Sequence, residues 1–424
     1  MLLEFRLRNY GIFRDEVALS LVASNYKTLH SENLIPTGLP EVSHVVSTCA
    51  IFGANASGKS TLIRAMSLLQ GLVLVSFKHL PEAQLNVKPF LLDKEFSLQP
   101  TLFEVSVSID GVRHQYGLEF NKERIVSEWL LVYKTARPQK WFHRYLSPGT
   151  GKEEYEFSPH FKGQKRTWQE QTRPNALFLS TAIQFNSEML KPLYQWFSRG
   201  IFTVLGGLPL DGGYTTGEIQ KGQGTDVVRF LQSADLSIHE ITVEEQSGLH
   251  RTMDVDLRKG EILKSEIKNA KAIIPKFLHK VGEQEAILEF QEESDGTQKM
   301  YGLAGPLIDI LDKGSVLIYD ELDSRLHPLL TRKIIEIFQN PISNPNGAQL
   351  VFSSHDTSLL DADLLRRDQI WFLQKDSSQA ASLTPLTDFH PRKGEALMRG
   401  YLTGRYDGIP ILNSIAVPGT TDGN

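Results

Sequence analysis

Two stretches of this chain make chemical sense only if the fold brings them to one place. Gly53-Ala54-Asn55-Ala56-Ser57-Gly58-Lys59-Ser60 fits the pattern GxxxxGK[ST]. Some 260 residues later, the apolar run Val316-Leu317-Ile318-Tyr319 ends in the paired carboxylates Asp320-Glu321. A single triphosphate site needs both: a loop that donates to phosphates, and carboxylates for a metal ion and a water. What lies between the two motifs decides what kind of nucleotide chemistry the chain can perform.

At 424 residues, 41% apolar and 22% charged, the chain is long enough for two or three structural units. A formal net charge of −5 gives no global positive field for nucleic acid. The single cysteine, Cys49, excludes a disulfide framework and thiolate zinc clusters and suits a reducing cytoplasm. Glu4, Arg6 and Arg8 interrupt the start, so no signal peptide is expected. The most apolar window, Leu68 to Phe77, is too short to span a bilayer, and a soluble cytoplasmic protein is expected.

Leu2 to Leu7 alternates as a strand, with Val17 to Val22 as its hairpin mate. A loop runs from about Ser31 to Pro40. Val45 to Phe52 reads as a buried strand and Thr61 to Leu72 as a helix, the setting a phosphate loop requires. Period-two patterning at Leu102–Ile109 and His114–Phe120, joined by Asp110-Gly111, predicts a hairpin, and a further strand pair follows through Trp129 to Phe157. Between about Asn186 and Glu285, helical stretches (Met189–Phe197, Thr225–Ser233) mix with loops at Gly206-Gly207 and Gly212-Gly213, without sustained heptads. Ile287–Phe290, Val316–Tyr319, Gln349–Ser353 and Gln369–Leu373 read as strands alternating with helices, which implies a mostly parallel, helix-covered sheet. The expected organisation is an N-terminal lobe at 1–185, a helical and mixed insert at 186–285, a C-terminal lobe at 286–412 and a flexible tail at 413–424.

In the glycine-rich loop, Gly53, Asn55, Ser57 and Gly58 would turn backbone N–H groups onto the phosphates. Lys59 would neutralise the β- and γ-phosphates of ATP, Ser60 would place a hydroxyl on Mg²⁺, and the helix from Thr61 adds its positive end. Asp320 would hold Mg²⁺ through its water shell, and Glu321 would polarise the attacking water. His355, just past the Gln349–Ser354 run, stands where a γ-phosphate can be sensed. Glu293-Ser294-Asp295-Gly296-Thr297 precedes a helix over Gln298–Leu311, so Ser294, Gly296 and the helix start form a second anion-binding arrangement. Two helix N-termini cannot face one γ-phosphate from opposite sides within one subunit, so this segment is expected to close on a partner's nucleotide.

Taken in order, the phosphate loop, the ESDGT segment, Tyr319-Asp320-Glu321, Leu322-Asp323-Ser324 and Ser354-His355 resemble the head of ABC/SMC-type ATPases. More narrowly, the chain resembles the AAA-annotated, ABC-like ATPases of bacterial phage-defence loci, the RloA/AbiL-type proteins, with PtuA and the OLD ATPases as more distant relatives. Phe5-Arg6-Leu7-Arg8-Asn9-Tyr10-Gly11-Ile12-Phe13, Ala234-Asp235-Leu236-Ser237-Ile238, Leu326-His327-Pro328 and Tyr401-Leu402-Thr403-Gly404-Arg405-Tyr406-Asp407-Gly408-Ile409-Pro410 carry the same resemblance, which spans about Met1 to Leu412.

The resemblance implies a P-loop NTPase fold of the ABC/SMC-head type: a mixed α/β sheet flanked by helices, carrying an inserted β-rich and helical region. It further implies a homodimer or higher oligomer formed on ATP, slow hydrolysis, and control of a separate effector in anti-phage defence by abortive infection, an RloB-like or TOPRIM-type nuclease being the usual partner. Asp323 would communicate across the dimer. ESDGT departs from LSGGQ, with Thr297 in place of the glutamine. The Q-loop glutamine could be Gln84 or Gln184, and Arg14 is a candidate for contacting adenine. Basic residues at Lys134–Arg144 and Lys162–Arg166, interleaved with Trp141, Phe142 and Trp168, could stack on nucleic acid or simply form an exposed strand pair with snorkelling side chains. The Arg392-Lys393 and Arg399–Arg405 cluster, which follows the core motifs, could contact a partner or the sheet. Competing readings are an SMC/RecF-like DNA-repair ATPase, a nucleotide-locked scaffold with little turnover, and a transporter subunit, which the insert and ESDGT do not suit.

Overall fold

A computed structural model describes residues 1–24, 30–207, 210, 212–234, 237–256, 261–392 and 394–409. Asp235, Leu236, Lys393, Pro410 and the tail at 413–424 lie outside the described residues. The chain divides into two units. The first is Met1–Gly206 with Lys313–Asp323 and Ile334–Asn424, and the second is Gly207–Asp312 with Ser324–Lys333.

The first unit holds two large sheets. One is antiparallel and seven-stranded, and it contains both predicted hairpins. Leu2–Arg8 pairs with Val17–Ser20 on one side and Thr101–Ile109 on the other. Thr101–Ile109 turns back into Val112–Phe120 through Asp110 and Gly111, at φ 51° and 69°. Both turn residues sit in the left-handed region that a tight two-residue hairpin demands. Ile125–Tyr133, Gln139–Leu146 and Glu153–Phe157 complete the sheet. Its alternating apolar side chains (Phe103, Val105, Val107, Leu118, Phe120, Leu130) enter one continuous core.

The second sheet has six strands. Its order is Ile201–Val204, Val316–Tyr319, Gln349–Ser353, Thr48–Gly53, Ile370–Lys375 and Ala381–Pro385; only the last pairing is antiparallel. The Gln349–Ser353 strand therefore lies between the strands that carry the two nucleotide motifs. Helix Lys59–Val75 follows the phosphate loop and buries Leu62, Ile63, Met66, Leu69, Leu72 and Val73 in the core. Among the described residues one helix, Lys59–Lys78 with mean hydropathy 1.5, is long and apolar enough to cross a membrane by length and composition. The window Leu68–Phe77 read from the sequence lies within this helix, whose apolar side chains enter the core.

Two sequence expectations need correction. Val45 to Phe52 is not one strand. His44–Val46 pairs antiparallel with Leu34–Pro36, and the chain bends at Ser47 before Thr48–Gly53 begins. Ile287–Phe290 belongs to no parallel sheet: Gln284–Glu289 is the third strand of an antiparallel sheet in the second unit. That sheet is built on Ile238–Asp256 and Glu261–Val281, 19 and 21 residues long. Most strands have 3–10 residues, so no usual strand length suggests such a ribbon from sequence.

In the second unit, helix Asp295–Lys313 contains Pro306. Proline disturbs the helical hydrogen-bond ladder around it. Here the Thr215 hydroxyl enters the gap, donating to Tyr301 O (2.7 Å) and accepting from Gly305 N (3.0 Å).

Candidate functional site

The phosphate loop leaves its strand at Gly53, where φ is +157° and an added Cβ would lie 2.6 Å from both Leu373 O and Ser57 Oγ. Gly58, at φ +114°, stands before the first turn of the helix, and a Cβ there would meet Ile12 Cδ1 at 2.9 Å. Both positions require glycine. Ala56 also has positive φ, 59°. The Lys59 ammonium donates to Gly53 O (2.7 Å) and Ala54 O (3.1 Å), so the loop's own carbonyls occupy it. Burial lowers its pKa to about 8, against the opposing pull of Asp320, Glu321 and Asp323. Asn55 is exposed, while Ser60 and Thr61 are half-buried in the first helical turn.

The carboxylates follow the Val316–Tyr319 strand. Asp320 is buried at 2% exposure. The Ser353 hydroxyl, on the intervening strand, donates to Asp320 Oδ1 (2.6 Å) and accepts from Glu321 N (2.8 Å). Glu321 has φ 58°, which turns the chain away from the strand direction. The Asp323 carboxylate accepts from His355 N at 3.3 Å and 3.4 Å to its two oxygens. His355 lies at the exposed rim. Partial desolvation, and then the Lys59 ammonium, holds its pKa below the ordinary imidazole value. The first unit therefore gathers Gly53, Ser57, Gly58, Lys59, Asp320, Glu321, Asp323 and His355, as the distant motifs required.

Sequence reasoning missed two neighbours of this cluster. Ser353 was read only as a strand residue, although its single hydroxyl joins both carboxylate-bearing positions. Gly206 was read as a loop residue, but a Cβ there would meet Asp320 Oδ2 at 2.9 Å. Neither has a local signature, since each is defined by a neighbour more than 30 residues away. Ser353→Ala is expected to lower ATP turnover about tenfold or more, because hydrogen bonds to charged groups contribute about 1.5–3 kcal/mol. Nucleotide binding should change far less. Steady-state phosphate release alongside a binding titration checks this, and unchanged turnover would remove Ser353 from the site.

The ESDGT segment lies in the second unit. Ser294 is exposed; its hydroxyl accepts from Thr297 N (3.1 Å) and lies 2.9 Å from Thr297 Oγ1. The serine is thus the N-cap of helix Asp295–Lys313, which begins three residues earlier than the expected Gln298. Thr297 is buried, with its hydroxyl turned to Ser294. Gly296 is half-buried, and Asp295 pairs with Arg325 at 3.7 Å.

Other candidates fall elsewhere. Gln184 ends helix Phe178–Gln184 and lines a hollow of about 450 Å³ with Trp168, Phe185 and Met189. Gln84 is exposed in the segment after the phosphate-loop helix. Arg14 is held by Asp15 (2.8 Å) and Ser378 (3.2 Å), with its guanidinium 5.9 Å from the Phe96 ring centre. Of the two readings of the aromatic-basic stretch, the strand pair with exposed cations fits better: Lys134, Lys140, Lys162 and Arg166 are exposed, and Lys134 lies 6.0 Å from the Trp141 ring centre. Trp141, Phe142 and Trp168 are core residues, and buried Arg144 donates to Ala176 O and Glu153. Those rings offer no free face for base stacking.

The arrangement fits a bound nucleotide. Ser57 Oγ is buried with no hydrogen-bond partner among the described residues, which leaves a polar group of the loop for a ligand to satisfy. Among the described residues no group of three or more His, Cys, Asp or Glu side chains could hold a metal. A cation held by Ser60 and Asp320 would take its other ligands from phosphate oxygens and water, as Mg²⁺ usually does.

A glycine-rich loop between a central parallel strand and a long helix, with a buried aspartate two strands away, defines a mixed α/β fold of the P-loop nucleotide-binding class. Residues 49–361 match the family described as AAA domain, putative AbiEii toxin, Type IV TA system, and the chain belongs to that family. No curated protein sequence matches it. Among solved structures, an SMC head bound to the C-winged helix domain of ScpA is 10% identical, covering 90% of this chain and 96% of that one, with a TM-score of 0.37. CbiO1 of Clostridium perfringens, part of the ABC transporter complex CbiONQ, is 11% identical, covering 88% and 92%, with a TM-score of 0.30.

Proposed function

We propose that the chain is an ABC-like ATPase that binds and slowly hydrolyses ATP, dimerises on it, and regulates a separate effector in bacterial defence against phage. One observation carries the ATPase reading: Lys59, Asp320, Glu321 and His355 come together at a loop whose crowded, positive-φ backbone admits only glycine at Gly53 and Gly58. Loop N–H groups, Lys59 and Ser57 would hold the phosphates. Ser60 and Asp320 would hold Mg²⁺, which would neutralise the charge that develops on the ADP leaving group. Glu321 orients the water and accepts its proton as the water oxygen bonds to the γ-phosphorus and the bond to ADP breaks. His355 faces the γ-phosphate. Ser294 and Gly296 would complete the partner's site, and Asp323, bonded to His355 N, would link the two sites. The defence role is supported by the family's description as a putative toxin of a type IV toxin–antitoxin system. Control of a separate nuclease remains part of the proposal, carried by the sequence resemblance.

The pH dependence provides one test. With its pKa lowered to about 8, Lys59 loses its ammonium charge as pH rises through that value in the ligand-free protein. Phosphate favours the charged form, so binding takes up a proton above that pH. ATP affinity should be flat below pH 8 and fall up to about tenfold per unit above it. Lys59→Arg, whose charge persists, should not show the slope; an identical slope in both proteins would assign the titration to another group.

A further inference from the structure

The segment Tyr401–Gly408 is not used by the site described above, yet it reaches the phosphate loop. Gly408 has φ +70°, and a Cβ there would lie 3.1 Å from Leu373 O and 3.4 Å from Gly53 Cα. A Cβ on Gly53 would meet the same Leu373 oxygen at 2.6 Å. Leu373 and Gly53 are paired in register on neighbouring parallel strands. The Leu373 carbonyl is therefore wedged between two glycines, at the point where the strand becomes the phosphate loop.

Several contacts hold the C-terminal turn in place. The Tyr401 hydroxyl donates to Gly408 O (3.0 Å). Its ring stacks on Phe372 (5.4 Å, 17°) and leans on Phe52 (6.4 Å), the residue before Gly53. Tyr406 also stacks on Phe372 (5.7 Å), and its hydroxyl donates to Glu395. With its amide nitrogen facing Asp407, Gln374 donates to both carboxylate oxygens at 3.1 and 2.9 Å. Aromatic packing alone would close this part of the core. It would not require a left-handed glycine pressed against the first glycine of the phosphate loop.

We propose that the C-terminal turn Tyr401–Gly408 is a positioning element of the nucleotide site, bracing Gly53 from behind; this rests on the ATP-binding reading above. The consequence follows from the geometry of Gly53. Its carbonyl accepts from Lys59 Nζ at 2.7 Å, and its α-carbon faces Ser57 Oγ. A shift of Gly53 by a few tenths of an ångström moves the ammonium's anchor and the loop's inward face together. Contacts that pull on this turn would therefore alter ATP affinity without touching the nucleotide.

The test uses the full chain and a fluorescent ATP analogue, titrated across pH at a temperature well below melting. Tyr401→Phe keeps the ring stack and removes only the bond to Gly408 O; Gly408→Ala adds the Cβ. Lys59→Ala reports on the site itself, and Val105→Ala, in the core of the antiparallel sheet, is a destabilised control. The expected result is that Tyr401→Phe binds about three- to tenfold more weakly, as the loss of one hydrogen bond allows. Gly408→Ala should be weaker still, and both should shift the pH at which affinity declines. Val105→Ala should lower the melting temperature and change neither. If native protein binds, Lys59→Ala does not, and both turn variants match native affinity and pH profile, the positioning role is overturned while the ATP site stands. If native protein does not bind, the ATP reading itself fails, and the proposal with it. Should Gly408→Ala not fold, Tyr401→Phe decides alone.

Discussion

Lys59→Ala protein should bind ATP at least about thirtyfold more weakly than native protein, and by up to several thousandfold, on the 2–5 kcal/mol scale for truncating one partner of a buried, hydrogen-bonded charge pair. The ammonium is the one cationic group placed inside the loop, held by Gly53 O and Ala54 O and surrounded by three carboxylates. Binding ATP would exchange two carbonyl acceptors for phosphate oxygens bearing full charge, a stronger interaction for the same donor. Isothermal titration with both proteins measures the difference. Melting curves recorded alongside show whether the variant has kept its fold. A folded variant that binds ATP as the native protein does removes the phosphate-loop assignment.

Glu321→Gln should separate binding from turnover. Glutamine keeps the size of the side chain and the backbone bond from residue 321 N to Ser353 Oγ, but it cannot take a proton from water. Hydrolysis should drop about 10²- to 10⁴-fold, the usual contribution of a positioned base, while ATP binding persists. Since ATP is then not consumed, ATP-bound dimers should accumulate. Light scattering or native mass measurement with and without ATP reads this directly. Equal masses in both conditions would argue against the trans role of Ser294 and Gly296, and undiminished turnover would remove Glu321 as the base.

Much of this site was legible because its parts are local patterns. The loop Gly53–Ser60 needs left-handed and crowded backbone at fixed positions, and only glycine supplies both at Gly53 and Gly58. Asp320 and Glu321 stand out because an apolar strand runs straight into them. The hairpin at Asp110-Gly111 was equally readable, its turn chemistry lying in two adjacent residues. Ser294 reads from sequence as an anion-site residue; in the fold its hydroxyl caps a helix, accepting from Thr297 N. The basic-aromatic stretch was ambiguous for the opposite reason. Composition shows rings and charges, but not that Trp141, Phe142 and Arg144 point into a core.

Residue type and short spacing were enough to name the chemical groups: a phosphate loop, an aspartate with its neighbouring glutamate after an apolar strand, and a histidine past the next strand. Both survive in one dimension. Tertiary structure decided what joins them. Strand order placed Gln349–Ser353 between the two motif strands, so that Ser353 could bond to Asp320 and Glu321 at once. The same sheet set Leu373 beside Gly53, and the chain's return brought Gly408 against both. Contacts of this kind arise from the register of strands that lie from tens to hundreds of residues apart. No local pattern encodes them, because the same serine or glycine elsewhere in the sheet would have different neighbours.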